Sequence, residues 1–577
     1  MFFLDFLKRN KFLFLILGAL FLSILIHQVF ALTHQYFWKF PKADNQQSLV
    51  KTSDFSNSKF QLGTNLNGIA DWSTQLPFLD SFKSSRKWIT QCDQASANCD
   101  TKWDTKEYHL LSLDKDGWLK SLPQAGTDSK YAYVETLVLP NSTIEGGDLF
   151  LVLYEGEGTI EYSSQAIKDQ AASKPGRDVI KIIAQPDEEI SLKVTSTDPQ
   201  NNGNYIRNIR VIKASLESAY QNGEIFNPTF LERIKKFKVI RFMNWMGTNN
   251  SEQKEWSTRP LPELSSYALT GVPIEIMVAL SNQIKAEPWF NMPHLATDEY
   301  MTKFAQVVKE RLDSNLKIYI EYSNEVWNSH FNQASWIEKQ GNSEWNTSSN
   351  SSYTKRINWY AKRTAEMCDI WKEVFGNQRS RVVCILGGQA SNTWTLSQAL
   401  DCPLWDKKPC AAHGIDAVAI APYFGMDLGR KRHQDKVENW TLDQLFQEIN
   451  QGGLLPDKPG GSLVEAAQVI NKNVALANQR KLKLIAYEGG QHLVGVGGVE
   501  NNPAITKLFI AANRDPRMHD VYINYLNQWQ NAGGGLFMHF LDIGQFSKWG
   551  SWGALEHLNQ SQSPKYDALM EFIDKTN

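Results

Sequence analysis

From residue 226 onward the chain alternates between two hydrophobic rhythms. Short runs of consecutive or every-second apolar residues read as strands: KVIRFMNW, VPIEIMVAL, KIYIEYSNEVW, RVVCILGGQ, DAVAIAPYFG, KLIAYEGGQ and GLFMHFLD. Between them, apolar residues recur three and four apart, as helices require. NPTFLERIKKF carries proline near its start, TDEYMTKFAQVVKERLDS opens on a Thr or Asp cap, and INWYAKRTAEMCDIWKEVFG closes on glycine. SLVEAAQVINKNVALANQR, NPAITKLFIAANRD, MHDVYINYLNQWQNAGG and SPKYDALMEFIDK continue the pattern. With FQLGTNLNG near the start, the strands fall at 60–65, 238–244, 273–280, 317–323, 381–387, 415–421, 483–488 and 535–540. Eight β-then-α units predict an α/β fold, a (β/α)8 barrel. The alternative is an open doubly wound sheet, which usually carries a glycine-rich phosphate turn after its first strand; GTNLNG lacks that spacing.

The pattern breaks at both ends of the first strand. Between 101 and 220 only short β-branched or aromatic runs occur, among them YAYVETLVL, GDLFLVLYE, DVIKIIA and EISLKVTST, separated by Pro, Gly, Asn and Asp. They predict an all-β sandwich inserted between barrel segments 60–100 and 221–577, in outline like a carbohydrate-binding module. Ahead of the barrel, Lys8, Arg9 and Lys11 precede an apolar run within 1–32, and a polar linker follows at 33–59. That run reads as a membrane-spanning signal-anchor or as a cleaved signal peptide. Either one exports the domain to the periplasmic or extracellular side.

Six cysteines fall as the close pairs Cys92/Cys99, Cys368/Cys384 and Cys402/Cys410. This suits disulfides in an oxidising compartment, with free buried thiols as the alternative. A formal net charge of −2 gives no basic field for nucleic acid. The chain is rich in rings, with 19 Trp, 19 Tyr and 29 Phe. Core packing accounts for many of them, and a sugar-binding groove would use the rest. Asp114-Lys115-Asp116-Gly117 lacks the later ligands of a calcium loop and reads as a turn.

Barrel enzymes place their chemistry where strands end in loops. Those positions hold Asn324-Glu325 after the fourth strand and Glu488 after the seventh, with Arg241 on the second, Tyr423 after the sixth and His539 on the eighth. Two carboxylates across one barrel mouth can flank a glycosidic bond, one as acid and one against the developing oxocarbenium ion. Glu321, four residues before Glu325, is expected to face inward and pair with a base such as Arg241.

On these residues the barrel resembles clan A of the retaining glycoside hydrolases, over 60–100 and 226–577. The resemblance implies Glu325 as acid/base, Glu488 as nucleophile and Asn324 as a partner of the sugar 2-hydroxyl. It further implies that Arg241 orients the nucleophile and that Tyr423 bonds to it. Val326-Trp327 follows the Asn-Glu pair where many members have proline, Ala421 stands where many have histidine, and His539 lies where many have tryptophan. No subfamily, sugar or linkage follows. Candidate sugar contacts are Trp289, Asn291 and His294 after the predicted third strand, Trp327, Gln389 and Asn392, then His539, Trp549 and Trp552. The glycines after Glu488 would leave bare backbone for substrate approach. The expected chemistry is a double displacement on a poly- or oligosaccharide, with Glu488 held ionised and Glu325 starting protonated. It requires no metal or organic cofactor. Transglycosylation at the same site and a non-catalytic polysaccharide-binding or assembly role are the rival readings.

Overall fold

The computed structural model describes residues 60–576 apart from short internal segments at 94–98, 100–102, 124–127, 184–188, 406–407 and 458. The hydrophobic segment expected within 1–32 and the linker at 33–59 lie outside the described residues. Among the described residues no helix is long and apolar enough to cross a membrane.

Eight parallel strands close on themselves in chain order: Leu62–Asn65, Val239–Arg241, Glu287–Met292, Ile318–Tyr322, Val382–Gly387, Ala417–Ile420, Lys483–Ala486 and Phe537–His539. The last pairs with the first, Gly63 opposite Met538, so the sheet has no edge and the open-sheet alternative fails. A β-carbon on Gly63 would lie 2.4 Å from the Met538 sulfur and 2.6 Å from the Val239 carbonyl, so only glycine fits where the sheet closes. Val239, Trp289, Tyr319, Ile385, Ala419, Ile485 and Met538 fill the barrel's interior. A larger apolar layer joins the outer face of the sheet to the helices.

The third strand corrects the sequence reading. VPIEIMVAL is the helix Ile274–Ile284, and the strand is Glu287–Met292. The helix is buried at Ile274, Ile276, Met277, Val278, Leu280 and Ser281. A helix covered this widely shows a nearly continuous apolar run that periodicity cannot tell from a buried strand. Pro288 hid the true strand. The ladder tolerates it because the flanking groups carry the hydrogen bonds: Glu287 N–H donates to the Lys238 carbonyl, and the Trp289 carbonyl accepts from Phe242 N–H.

Between the first and second barrel strands lie two four-stranded sheets with antiparallel pairing. Val134, Ile160, Leu192 and Val194 of one meet Phe150, Val152, Ile180 and Val211 of the other in a shared core. The insertion begins at strand Ile89–Gln91, inside the stretch 60–100 assigned to the barrel, because that strand is too short to show a period. Buried Asp80 joins insertion to barrel by accepting from Val211 N–H at 2.9 Å and Phe82 N–H at 3.0 Å.

Cys92–Cys99 and Cys402–Cys410 are disulfides. The pairing of Cys368 with Cys384 is not formed: both are buried thiols, one on helix Ser352–Phe375 and one on strand Val382–Gly387. Burial pushes the Cys368 thiol well above its usual value, and a hydrogen bond with Cys384 adds to the shift. Two core residues meeting across a helix–strand contact have the same sequence spacing as a local bridge. The Asp114–Gly117 segment is a turn, its Asp114 carboxylate accepting from the N–H groups of Asp116 and Trp118 at 2.9 Å each.

Candidate active site

Arg241 ends the second strand with its side chain fully buried at the C-terminal mouth of the barrel. A buried guanidinium must be paired on every edge, and this one is. Its Nη1 donates to Glu488 Oε1 at 2.8 Å and to Asn65 Oδ1 at 3.1 Å. Its Nη2 donates to Glu321 Oε2 at 2.8 Å and to Asn324 Oδ1 at 2.9 Å, and Nε reaches Glu321 at 3.2 Å. Glu321 also accepts from Trp289 Nε1 at 2.9 Å and Asn291 Nδ2 at 2.8 Å. Glu321 Oε2 thus accepts four hydrogen bonds, and Glu321 faces inward as the sequence suggested. The other oxygen of Glu488 accepts from the Tyr423 hydroxyl at 3.0 Å.

The charges do not balance. One guanidinium lies between two carboxylates, with Glu325 close enough to act on Glu488 as well. Burial, reinforced by Glu325, pushes the Glu488 carboxyl up to about 7, while Arg241 and the Tyr423 hydroxyl pull it back. Any chemistry that needs the carboxylate should fade as pH falls through about 7. Tyr423→Phe removes a hydrogen bond to this anion, worth roughly 1.5–3 kcal/mol. We expect kcat/KM to fall about 10- to 100-fold and its acidic limb to move to higher pH. A pH profile of the two proteins checks both.

Glu325 is built differently. Its Oε1 accepts from the Tyr487 hydroxyl at 2.9 Å and its Oε2 from Asn328 Nδ2 at 3.0 Å, and the side chain is only partly buried. Ser323 and Glu325 both hold left-handed backbone, φ 61° and 41°. Such conformations cost about 1–3 kcal/mol in a residue with a side chain and persist where neighbours hold them. Here Gln333 Nε2 donates to the Asn324 carbonyl between them at 2.9 Å. The Asn324 amide itself donates to Asn249 at 3.1 Å.

Glu325, Tyr487 and Glu488 line one open cleft of about 1010 Å³. Trp327, Gln389, Tyr423 and Trp552 line it as expected, joined by Phe540 and His492. The Tyr423 ring meets His492, Trp552 and Phe540 edge-on, at centroid distances of 5.6, 5.8 and 6.3 Å. Burial holds the His492 imidazole near 4, hence neutral at pH 7.

Other expected contacts lie elsewhere. Trp289 is inside the barrel, stacked on Tyr319, because its segment is a strand and not a loop. Asn291 is buried on the same strand. His294 is buried edge-on against Trp336. His539 is buried on the last strand, with Nε2 3.3 Å from the Tyr522 hydroxyl. Trp549 points to solvent, 65% exposed, while its neighbour Trp552 takes the cleft position. Asn392 stands at the start of helix Thr393–Asp401, outside the cleft lining. Arg241 holds Glu321 and Glu488, Asn324 accepts from Arg241, and neither is among the cleft-lining residues. The glycines after Glu488 answer to packing: a β-carbon on Gly489 would strike the Phe537 ring at 2.4 Å, and one on Gly490 the Tyr522 hydroxyl at 2.8 Å.

Sequence reasoning missed three contributors. Asn65 ties the first strand to the site, its Nδ2 donating to the carbonyls of Tyr487 and His539 at 3.0 and 3.2 Å. Tyr487 and His492 flank the Glu488 segment that the sequence had singled out. Among the described residues no group of three or more His, Cys, Asp or Glu side chains could hold a metal ion.

No protein-family model matches the chain, and no curated protein does. Solved structures do. A Bacteroidetes-affiliated family 5 cellulase is 11% identical, with 61% of this chain and 84% of that one aligned at a TM-score of 0.37. A broad-specificity endoglucanase from Clostridium acetobutylicum is 12% identical over 60% and 90%, at 0.34. A 4-O-α-L-rhamnosyl-β-D-glucuronidase from Fusarium oxysporum is 14% identical over 62% and 66%, at 0.35. The barrel assignment rests on the closed sheet itself.

Proposed function

We propose that this chain is a retaining glycoside hydrolase that cuts O-glycosidic bonds of a poly- or oligosaccharide, with Glu488 as nucleophile and Glu325 as acid/base. The observation that carries the reading is the contrast between two carboxylates in one cleft. Glu488 is locked between Arg241 and Tyr423, its orientation fixed by a donor on each oxygen. Glu325 is partly open to the cleft and held by neutral donors, Tyr487 and Asn328.

In the first step a Glu488 oxygen attacks the anomeric carbon. The bond to the leaving oxygen breaks, and Glu325 hands that oxygen its proton. In the second, Glu325 takes a proton from water, whose oxygen displaces Glu488 and frees the sugar. Arg241 offsets charge on Glu488 before attack and after release. Ring faces at Trp327 and Trp552, with the polar edge supplied by Gln389, suit a sugar's C–H face and hydroxyl rim. The reading includes export of the domain, tethered or released according to the fate of the N-terminal segment. Two disulfides are consistent with an oxidising compartment.

The test is release of reducing ends from a panel of polysaccharides by the whole chain beside Glu325→Gln. The parent should cut one member, and the variant should lose about 10²- to 10⁴-fold in rate. On a dinitrophenyl glycoside of the same sugar the first step needs no proton, so the variant's glycosylation rate should fall far less. Equal losses on both substrates would remove Glu325 from the acid role.

A further inference from the structure

Glu325 is held by two donors of different origin. Asn328, whose Nδ2 donates to Oε2 at 3.0 Å, stands three residues on in the same loop, and its own N–H donates to the Glu325 carbonyl at 2.8 Å. It travels with Glu325 and fixes nothing across the barrel mouth. The Tyr487 hydroxyl, 2.9 Å from Oε1, comes from the end of the seventh strand, on the residue directly before Glu488. Ala421, after the sixth strand, lines the same cleft and brings no side-chain donor.

The fold explains why one tyrosine serves both carboxylates. Ile485 and Tyr487 are two apart and both point into the barrel interior, as strand alternation requires. The strand ends at Ala486, so Glu488 is released from that alternation and faces the cleft beside its neighbour. Tyr487 is held from the sixth, first and second strands. Its N–H donates to the Ile420 carbonyl at 3.0 Å, its carbonyl accepts from Asn65 Nδ2 at 3.0 Å, and its ring centre lies 5.1 Å from the Arg241 guanidinium. The Trp327 ring lies 6.3 Å away on the loop that carries Glu325. Burial, with Glu325, Glu488 and Glu321 acting on the hydroxyl, pushes it well above the usual tyrosine range. The hydroxyl therefore keeps its proton and meets Glu325 as a donor, which favours the carboxylate over the acid.

We propose that Tyr487 is a positioning residue for the reaction: it holds Glu325 from across the barrel mouth and sets the pH at which Glu325 gives up its proton. The inference rests on the glycoside hydrolase reading for its effect on turnover, and on the hydrogen bond alone for the hold on Glu325. Tyr423 and Tyr487 then divide the work, one donating to Glu488 and the other to Glu325. The titratable and charged groups that act around this pair are Glu488, Glu325, Tyr423, Glu321 and Arg241. Asp427, Arg430, Glu465, Lys472, His330 and His492 line the rest of the cleft. All of them stay in place when only the Tyr487 hydroxyl is changed, so a difference between the proteins reads that one donor.

Carbon NMR of the whole chain, labelled at the glutamate Cδ, follows Glu325 without substrate, its signal assigned by its absence from Glu325→Gln. Tyr487→Phe keeps the ring beside Arg241 and Trp327 and removes the donor. A ring-fluorinated tyrosine at the same position is a stronger donor and serves as the second variant. We expect the Glu325 midpoint to rise by about one pH unit in Tyr487→Phe, to fall in the fluorinated protein, and to move more than the Glu488 midpoint in both. A Glu325 midpoint that stays, or that moves no more than that of Glu488, overturns the proposal. This titration is read whether or not any polysaccharide is cut. On one that the parent cuts, the alkaline limb of kcat/KM should move with the Glu325 midpoint. A midpoint that moves while the limb stays keeps the hold on Glu325 and removes Glu325 from the acid role. A limb that moves while the midpoint stays does the reverse.

Discussion

Arg241→Met should cost more stability than any other single substitution at the site, about 3–5 kcal/mol, because it leaves buried charge without a partner. Arg241 is fully buried and bridges Glu321, Glu488, Asn65 and Asn324. Methionine fills much of the volume and supplies none of the donors. Glu488, left without its guanidinium, can escape only by taking up a proton, so the loss should be smaller at pH 5 than at pH 8. Arg241→Lys keeps one charge but cannot reach four acceptors on different strands, and should recover only part of the loss. Urea unfolding of the three proteins at both pH values checks this. A loss that does not change with pH would mean that Glu488 does not depend on Arg241 for its charge.

Glu488→Gln should behave in the opposite way on stability while abolishing turnover. We expect kcat to fall on the order of 10⁴-fold or more, because the amide cannot form the covalent bond and no neighbour replaces it. The Glu488 carboxyl titrates near 7 in the folded chain, above the ordinary value of 4.5 that applies when it is unfolded. Between these values the folded state binds a proton that the unfolded state has lost. Stability from this group is then fully present below 4.5 and lost as pH rises through about 7. The variant removes that dependence, so it should be more stable than the parent at pH 8 and not at pH 4. Such a trade of stability for function is expected where a charge is kept buried for chemistry. Unfolding of both proteins across the range, beside initial rates, measures the two effects together.

Much of this arrangement was readable in the chain because a barrel repeats one local decision eight times. Seven strands lie inside their predicted spans, each a short apolar run between polar turns. The third failed because Ile274–Ile284 is a helix buried too widely to show a polar stripe, while Pro288 disguised the real strand. That single error misplaced Trp289 and Asn291, which were read as loop residues and lie on the strand, while His294 does lie in the loop but is buried. Glu325, Glu488, Arg241 and Tyr423 could be found because strand ends are where side chains leave the packed interior. Asn65 and Tyr487 also stand at strand ends, but what they do, like what His492 does, depends on partners across the barrel mouth. The same holds for the glycines after Glu488, which answer to Phe537 and Tyr522 on later elements.

The central claim is that Glu488 forms a bond to the sugar, and the configuration of the first product reports on it most directly. Proton NMR of a fresh reaction, on whichever polysaccharide the chain cuts, records the new anomeric signal before mutarotation mixes the forms. Two displacements at one carbon should give a product with the configuration of the bond that was cut. A product that first appears inverted would contradict the account, because a single attack by water leaves no step in which Glu488 is the nucleophile.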